Sequence, residues 1–420
     1  MSRLQTFRDQ TFSAMAIPNF RRYVVGQSIS LIGTWMQSVA QGWLVYTLTG
    51  SATALGLVVA LQTLPVLLLG PYAGVVADRV DKRKLMMVLQ AVMGLLAAVL
   101  GVLTVTHVVT LWEVYLLAVL LGLNNTFENP ARQSFVLEMV GPKDLRNAVS
   151  LNSVLVNAAR AVGPAIAGLL ITLGGTGICF LLNAVSFGAV VASLYFMDLA
   201  ALQPSRPTAR AKGQLREGLS YVRHEPELFV PLVMMALVGC LAYEFQVVLP
   251  VLAKATLHGG AQEYGFLTGA MGVGAIVGGL WTAARGRTGL RPLVSTSFVF
   301  GVLILAAALA PNTGVELVVM AFVGAGSVSF LAKANSTLQL ASAPDMRGRV
   351  MALWAVAFLG STPIGGPIAG YVSATLGARA GLVMGAVSCF VAAGIGLLVV
   401  RRQARTAVVD LPLEAPVPVG

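Results

Sequence analysis

The chain is 420 residues long, enough for two or three soluble domains, yet 57% of it is hydrophobic and only 11% charged, against roughly 25% charged in a soluble protein. Mean hydropathy is +0.81 and the net charge is +11 with a pI near 10; so apolar a composition excludes disorder, a soluble enzyme, a DNA-binding domain and a disulfide-rich secreted fold. Polar residues sit in short clusters between apolar runs of about twenty or more, each able to cross ~30 Å of hydrocarbon at about 1.5 Å per residue.

The first twenty residues carry Arg3, Arg8 and Asp9 among scattered apolar residues. Without a continuous apolar stretch they read as an amphipathic helix over 4–20 on the membrane surface, ended near Pro18, rather than as a signal peptide. Twelve spans are predicted: 23–48, 53–77, 85–106, 111–137, 147–172, 176–198, 228–253, 262–284, 292–310, 315–340, 349–376 and 380–400. Gly50–Ser51 and the joint 174–177 are so short that their flanking helices must run antiparallel. The longest joint, 199–227, falls at the midpoint and carries Arg206, Arg210, Lys212, Arg216 and Arg223. It divides the chain into a six-helix bundle with its short interfacial helix (1–198), a cytoplasmic linker (199–227), a second six-helix bundle (228–400) and a cytoplasmic tail (401–420). With the N-terminus cytoplasmic, 23 of the 28 basic residues lie on the inner side, so both termini are expected there. The high pI is then an insertion signal and an attraction to anionic lipid, and no nucleic-acid partner is expected.

The halves repeat. Residues 144–174 and 345–377 match at an offset of 201 to 203, pairing Asp144 with Asp345, Arg146 with Arg347, Val149 with Val350 and Gly168 with Gly370. Arg132 falls opposite Lys333. An even number of spans per half inserts the repeats in the same orientation, an architecture of transporters with the substrate path between the halves. The three cysteines, Cys179, Cys240 and Cys389, lie inside apolar runs with no metal-type spacing, so neither a metal nor a disulfide framework is expected.

The turn after the second span reads GVVADRVDKRK over 74–84. It resembles the signature loop of the major facilitator superfamily: Gly74, Asp78, Arg79 and Arg83 match, Lys82 replaces an Arg, and Asp81 stands where the family prefers Gly. The resemblance implies an all-α membrane protein of twelve helices in two pseudo-symmetric bundles, with Asp78 and Arg79 bracing one conformation. A solvated charged loop is the plainer reading. The equivalent stretch of the second half, 278–291, lacks the Asp. In the fifth span, Gly163, Pro164 and Gly168 resemble the Gly-Pro motif of the superfamily's antiporters; ordinary close packing of helices explains them as well. Residues 19–56 and 129–136 are similar to the branch that contains the enterobactin exporter and macrolide efflux proteins.

Polar groups at membrane depth cost ~2.5–3.5 kcal/mol each when charged, so they should face a cavity or a partner. Glu128 and Arg132 stand four apart on one face of the fourth span, either as a static ion pair or as substrate contacts. Glu244 is mid-way along the seventh span with no basic residue within a helical turn. That makes Glu244 the better candidate proton carrier and Glu128 the permanent anion. Gln27, Gln37, Gln41, Asn124, Arg160 and Lys333 complete the polar cavity candidates, and Trp35, Phe127, Tyr243 and Phe245 the aromatic ones. No histidine lies at depth.

These residues predict a bacterial inner-membrane secondary transporter, monomeric and without a cofactor, that exports a small amphipathic molecule (drug, siderophore or related metabolite) against proton entry. There is no GxxxxGK[ST] loop for ATP, and no HExxH or GxSxG for an enzyme. A lipid or lysolipid flippase, disfavoured by the depth charges, and a non-transporting membrane sensor, for which 401–420 is expected to be only a short tail rather than an appended domain, are the alternatives.

Overall fold

The computed structural model describes residues 13–203 and 214–409, nearly all of them helical. A 3-10 turn over Ser13–Ala16 leads into α1 (Pro18–Thr49), followed by α2 (Ala52–Arg79) and α3 (Lys82–Val105). Pro18 therefore opens the first span instead of closing a surface helix. Its missing N–H is one the first turn would leave unpaired anyway. Of the expected 4–20 helix, residues 4–12 lie outside the described residues.

Leu111–Gly174 forms a 64-residue helical run interrupted at Gly141, whose φ of 71° only glycine adopts without strain. The chain doubles back there, giving α4 (111–140) and α5 (142–174). Phe135, Val136 and Met139 before the turn share one apolar cluster with Ala148 and Leu151 after it, beside Phe20, Tyr23 and Leu194. The loop expected at 138–146 shrinks to that one glycine. Next come α6 (Thr176–Tyr195) and, after 204–213, the amphipathic α7 (Gln214–His224). The central linker thus holds a helix, docked by Val222 on Leu338 and Val350 and by a 2.8 Å Arg349–Glu217 ion pair.

In the second half two predicted spans are broken. The seventh consists of α8 (Pro226–Leu241) and α9 (Phe245–Val251), which runs on into a π turn at Leu252–Thr256; Glu244 between them has non-helical φ −81° and ψ 35°. Then follow α10 (Ala261–Arg285), α11 (Leu290–Ala308) and α12 (Thr313–Ala341). The eleventh span is α13 (Arg347–Leu359) plus α14 (Thr362–Leu376), and α15 (Ala378–Val409) is the twelfth. The two breaks lie side by side: a Cβ on Gly239 would sit 3.1 Å from the Ser361 hydroxyl.

Among the described residues, ten helical stretches are long and apolar enough to cross a membrane. One of these, Leu111–Gly174, crosses twice because of Gly141, and the 32-residue α1, more polar along its buried face, adds the last of twelve crossings. Large apolar side chains such as Leu95, Val185, Leu280 and Phe298 point outward, as a hydrocarbon solvent allows. The basic turns at 79–84, 143–146 and 285–291 share one side with α7, called the basic side below; the turns at 50–51 and 309–312 mark the far side.

Candidate functional site

The first and last six crossings meet along two equivalent seams in the far half of the molecule. In one, α2 lies against α14. A Cβ on Gly56 would overlap the Gly366 carbonyl, and one on Gly370 would lie 2.6 Å from the Ala52 oxygen. In the other, α10 lies against α5: a Cβ on Gly265 would lie 2.5 Å from the Pro164 oxygen, and one on Gly168 would lie 3.0 Å from the Ala261 oxygen. The partners correspond through the repeat, Gly56 to Gly265 and Gly370 to Gly168. Backbone-to-backbone approach of this kind requires glycine, which gives Pro164 and Gly168 a seam to form. Gly163 faces the other way, onto Trp35 and Ile32 of α1. The pair Gly274 and Gly278 packs inside the second half, on Ala321 and Ala325 of α12.

The second seam reaches mid-depth, where a Cβ on Gly272 would lie 2.7 Å from the Arg160 oxygen, and beyond that level the packing thins toward the basic side. An added Cβ at Gly70 meets nothing within 4 Å, and Leu68, Tyr72, Val149 and Val154 are all more than half exposed. The space between the halves is closed at the far side and open at the basic side. Near the closed end lies a cavity of about 200 Å³, walled mainly by the first half (Trp35, Gln37, Gln41, Val58, Gln62 and Asn125 among others), with Gln246 reaching it from the second half. Trp43 of α1 stacks on Tyr264 of α10 with ring centroids 6.4 Å apart, joining the halves near that closed end.

Of the cavity candidates, Trp35, Gln37 and Gln41 line this space. Asn183 of α6 donates a 2.7 Å hydrogen bond to the Gln37 side-chain oxygen and so fixes its amide. The Arg160 guanidinium lies over the Trp35 ring, 4.8 Å from its centroid. Tyr243, on the α8–α9 break, donates to the Ser327 carbonyl at 2.7 Å and packs on Phe300 and Phe358.

Glu128 and Arg132 pair elsewhere, inside the first half, where Gln27 and Asn124 are also buried. Arg132 Nε donates to Glu128 Oε1 at 3.0 Å, Gln90 of α3 reaches the same oxygen at 3.4 Å, and Arg132 also bonds Asn129. The ion-pair reading of Glu128–Arg132 is the one the geometry realises. Phe127, half-buried on the same helix, is not among the residues lining the cavity. In the same half, Tyr23 Oη, Gln27 Oε1, Gln90 Oε1 and Asn124 Nδ2 are buried without a hydrogen-bond partner. Tyr23 and Gln90 had no sequence signal, since each comes to the pair from a different helix.

Two further cavity candidates sit apart from the cavity. Phe245 is 6% exposed and belongs to the apolar core, because the break at Glu244 turns the start of α9 inward. Lys333 donates a 2.7 Å hydrogen bond to Thr296 of α11 and thus points across its own half. Glu244, buried at 4% exposure, turns its carboxylate toward α14: a Cβ on Gly365 would lie 2.8 Å from Oε1, and one on Gly366 3.6 Å from Oε2. Gly366 is the residue that meets Gly56 in the first seam, so Glu244 lies directly behind the contact between the halves.

In the basic turn, Arg83 donates from Nε to the Leu194 carbonyl at 2.7 Å and from Nη2 to that of Tyr195 at 3.0 Å, closing the end of α6. Asp81 caps α3 by accepting from the Lys84 N–H at 3.0 Å, which explains an acid where the family prefers Gly. Lys82 is buried and pairs with Glu138 of α4 at 2.6 Å, a partner the sequence reading missed. Gly74 is buried and Arg79 exposed; the side chain of Asp78 lies outside the described residues.

Twelve crossings in two repeated sets around a central cleft define a transporter of the major facilitator superfamily, not an enzyme fold. The chain belongs to the family described as transmembrane secretion effector, which matches residues 9–414. It is similar to the enterobactin exporter EntS of Shigella boydii (26% identity over 388 residues, 91% of this chain and 90% of that protein). It is also similar to macrolide efflux protein A of Streptococcus pyogenes (24% over 351 residues, 81% and 85%). The match to the staphyloferrin A transporter of Staphylococcus aureus (26% identity) spans 61% of this chain and 65% of that protein. Among solved structures, a bacterial homologue of the lysosomal transporter Spinster, inward-facing and unoccupied, superposes with a TM-score of 0.74 at 13% identity, covering 92% of this chain and 97% of that one. A bacterial homologue of the iron transporter ferroportin, also inward-facing, gives 0.71 at 15% identity over 90% and 98%.

Proposed function

We propose that the protein is a secondary active exporter of a small amphipathic molecule, working by alternating access and coupled to proton entry. The observation that carries this reading is the pair of glycine seams, which hold the halves together on one side of the cavity and leave them apart on the other. Contacts between bare backbones part without interlocked side chains having to withdraw, so the same seams can open while the basic side closes. Domain boundaries follow the repeat: bundles at 1–198 and 228–400, with 199–227 and 401–420 as linker and tail. The basic side is assigned to the cytoplasm of a bacterial inner membrane on the distribution of Lys and Arg, and loading from that side suits an exporter. Relatives named as exporters of enterobactin and of macrolides support the direction. Asp78 and Arg79 keep the gating role their resemblance implies.

Glu244 is the proposed coupling group. A carboxylate buried without a cation is costly to ionise, and it becomes less so when the seam in front of it opens to water. In proteoliposomes with an imposed pH gradient, Glu244→Gln should abolish uphill transport and leave exchange down a substrate gradient largely intact. Uphill transport that survives with normal pH dependence would move the coupling carboxylate elsewhere or remove proton coupling.

A further inference from the structure

Both depth carboxylates are turned away from the cleft. Glu128 is held by Arg132 inside the first half, and Glu244 lies against Gly365 and Gly366 behind the seam. Lys333 is tied to Thr296. The charge that remains beside the cavity is Arg160. Its guanidinium forms no hydrogen bond or ion pair with any described residue, and its Nε is buried without a partner. Its guanidinium carbon lies over the Trp35 ring, 4.8 Å from the centroid, and Trp35 is backed by Gly163, where a Cβ would come within 2.7 Å of the Trp35 Cβ. The titratable group that faces it from the second half is the Tyr243 phenol, already committed to the Ser327 carbonyl. The cavity wall itself, which Arg160 adjoins through Trp35, offers neutral amides, among them Gln37, Gln41 and Gln246, and apolar surface.

An arginine at membrane depth without a counter-charge is costly, and such residues mark substrate or ion pathways. Its planar fork matches carboxylate, sulfonate or phosphate oxygens two at a time, and its stacking on an indole continues onto any flat ring placed alongside. We propose that Arg160 receives an anionic group of the cargo while Trp35 supports an adjacent planar or aromatic part, so the transported class is an amphipathic anion and not a cation. This deepens the transport reading and depends on it for its purpose, whereas binding itself can be measured without transport.

Two dyes with the same xanthene ring and opposite charge, fluorescein and rhodamine 123, provide the test. Fluorescence anisotropy with the full chain purified in detergent should show fluorescein bound more tightly than rhodamine 123, with the difference shrinking at high salt. Arg160→Gln should weaken fluorescein about tenfold or more, as loss of a charge-assisted pair of hydrogen bonds predicts, and Arg160→Lys should fall between. Trp35→Leu should weaken it while keeping the salt dependence. If Arg160→Gln does not fold, Arg160→Lys and the salt series carry the test alone. Equal affinity for the two dyes, fluorescein binding unchanged in Arg160→Gln or Arg160→Lys, or no binding of either dye would overturn the proposal. Fluorescein binding that behaves as expected, without any uptake into vesicles, would leave the anion site standing and sink the exporter reading.

Discussion

Lys82 and Glu138 come from turns 56 residues apart and meet at 2.6 Å with side chains 6% and 11% exposed. Their mutual attraction offsets two desolvation costs, so the pair is worth little beyond an apolar one, while either partner alone is expensive. Lys82→Met should lower stability by about 3–5 kcal/mol, and adding Glu138→Leu should restore most of it. Melting temperatures in detergent check both; a double variant no better than the single one would mean that other contacts of these residues dominate. The same logic applies to Glu128→Gln, which leaves Arg132 half-buried with its charge unanswered and should impair folding, in contrast to Glu244→Gln. The pair Glu128–Arg132 was legible because four residues along a helix make one face. The pair Lys82–Glu138, and the approach of Tyr23 and Gln90 to Glu128, join separate helices, and hydropathy in one chain carries no signal for them.

Between helices, the informative residues are those with no side chain. Gly265→Leu places a branched side chain where a Cβ already presses the Pro164 carbonyl, and should hold the far-side seam apart. Cysteines introduced on the far side of the cleft should then react faster with a membrane-impermeant maleimide, and those on the basic side slower. An unchanged labelling pattern would show that this seam is not a gate. Gly279, whose added Cβ would meet Val328 at 3.3 Å within the same half, serves as the control. Apolar length alone marked the spans in the sequence. Which glycines meet across the halves needed the tilt of each helix. The bend at Gly360–Ser361 had a cue in the sequence Gly-Ser-Thr-Pro, whereas the bend at 242–244 has none, its nearest proline being Pro250. Tyr243 and Glu244 are set in place by tertiary contacts there, which is why Phe245 went to the core against expectation.

For the whole molecule, the basic-residue distribution makes a plain prediction of sidedness. Reporter fusions in the 199–227 linker and after residue 400 should read as cytoplasmic, and fusions at 50–51 and 309–312 as external. An external linker would reverse the direction argument, since the open end of the cleft would then face outward. Internal similarity revealed the repeat, but the repeat conceals a difference. The first and fifth spans, α1 and α5, run unbroken, while their counterparts in the second half are each cut in two, at 242–244 and 360–361, with the cuts packed against each other around Glu244. One half is built as a stiff post and the other as a jointed arm, its elbow at a single level of the membrane. A cycle that exchanges one open side for the other would then be driven mainly by flexing of the arm, and amides flanking the elbow should exchange hydrogen for deuterium sooner than those at matching depth in the post.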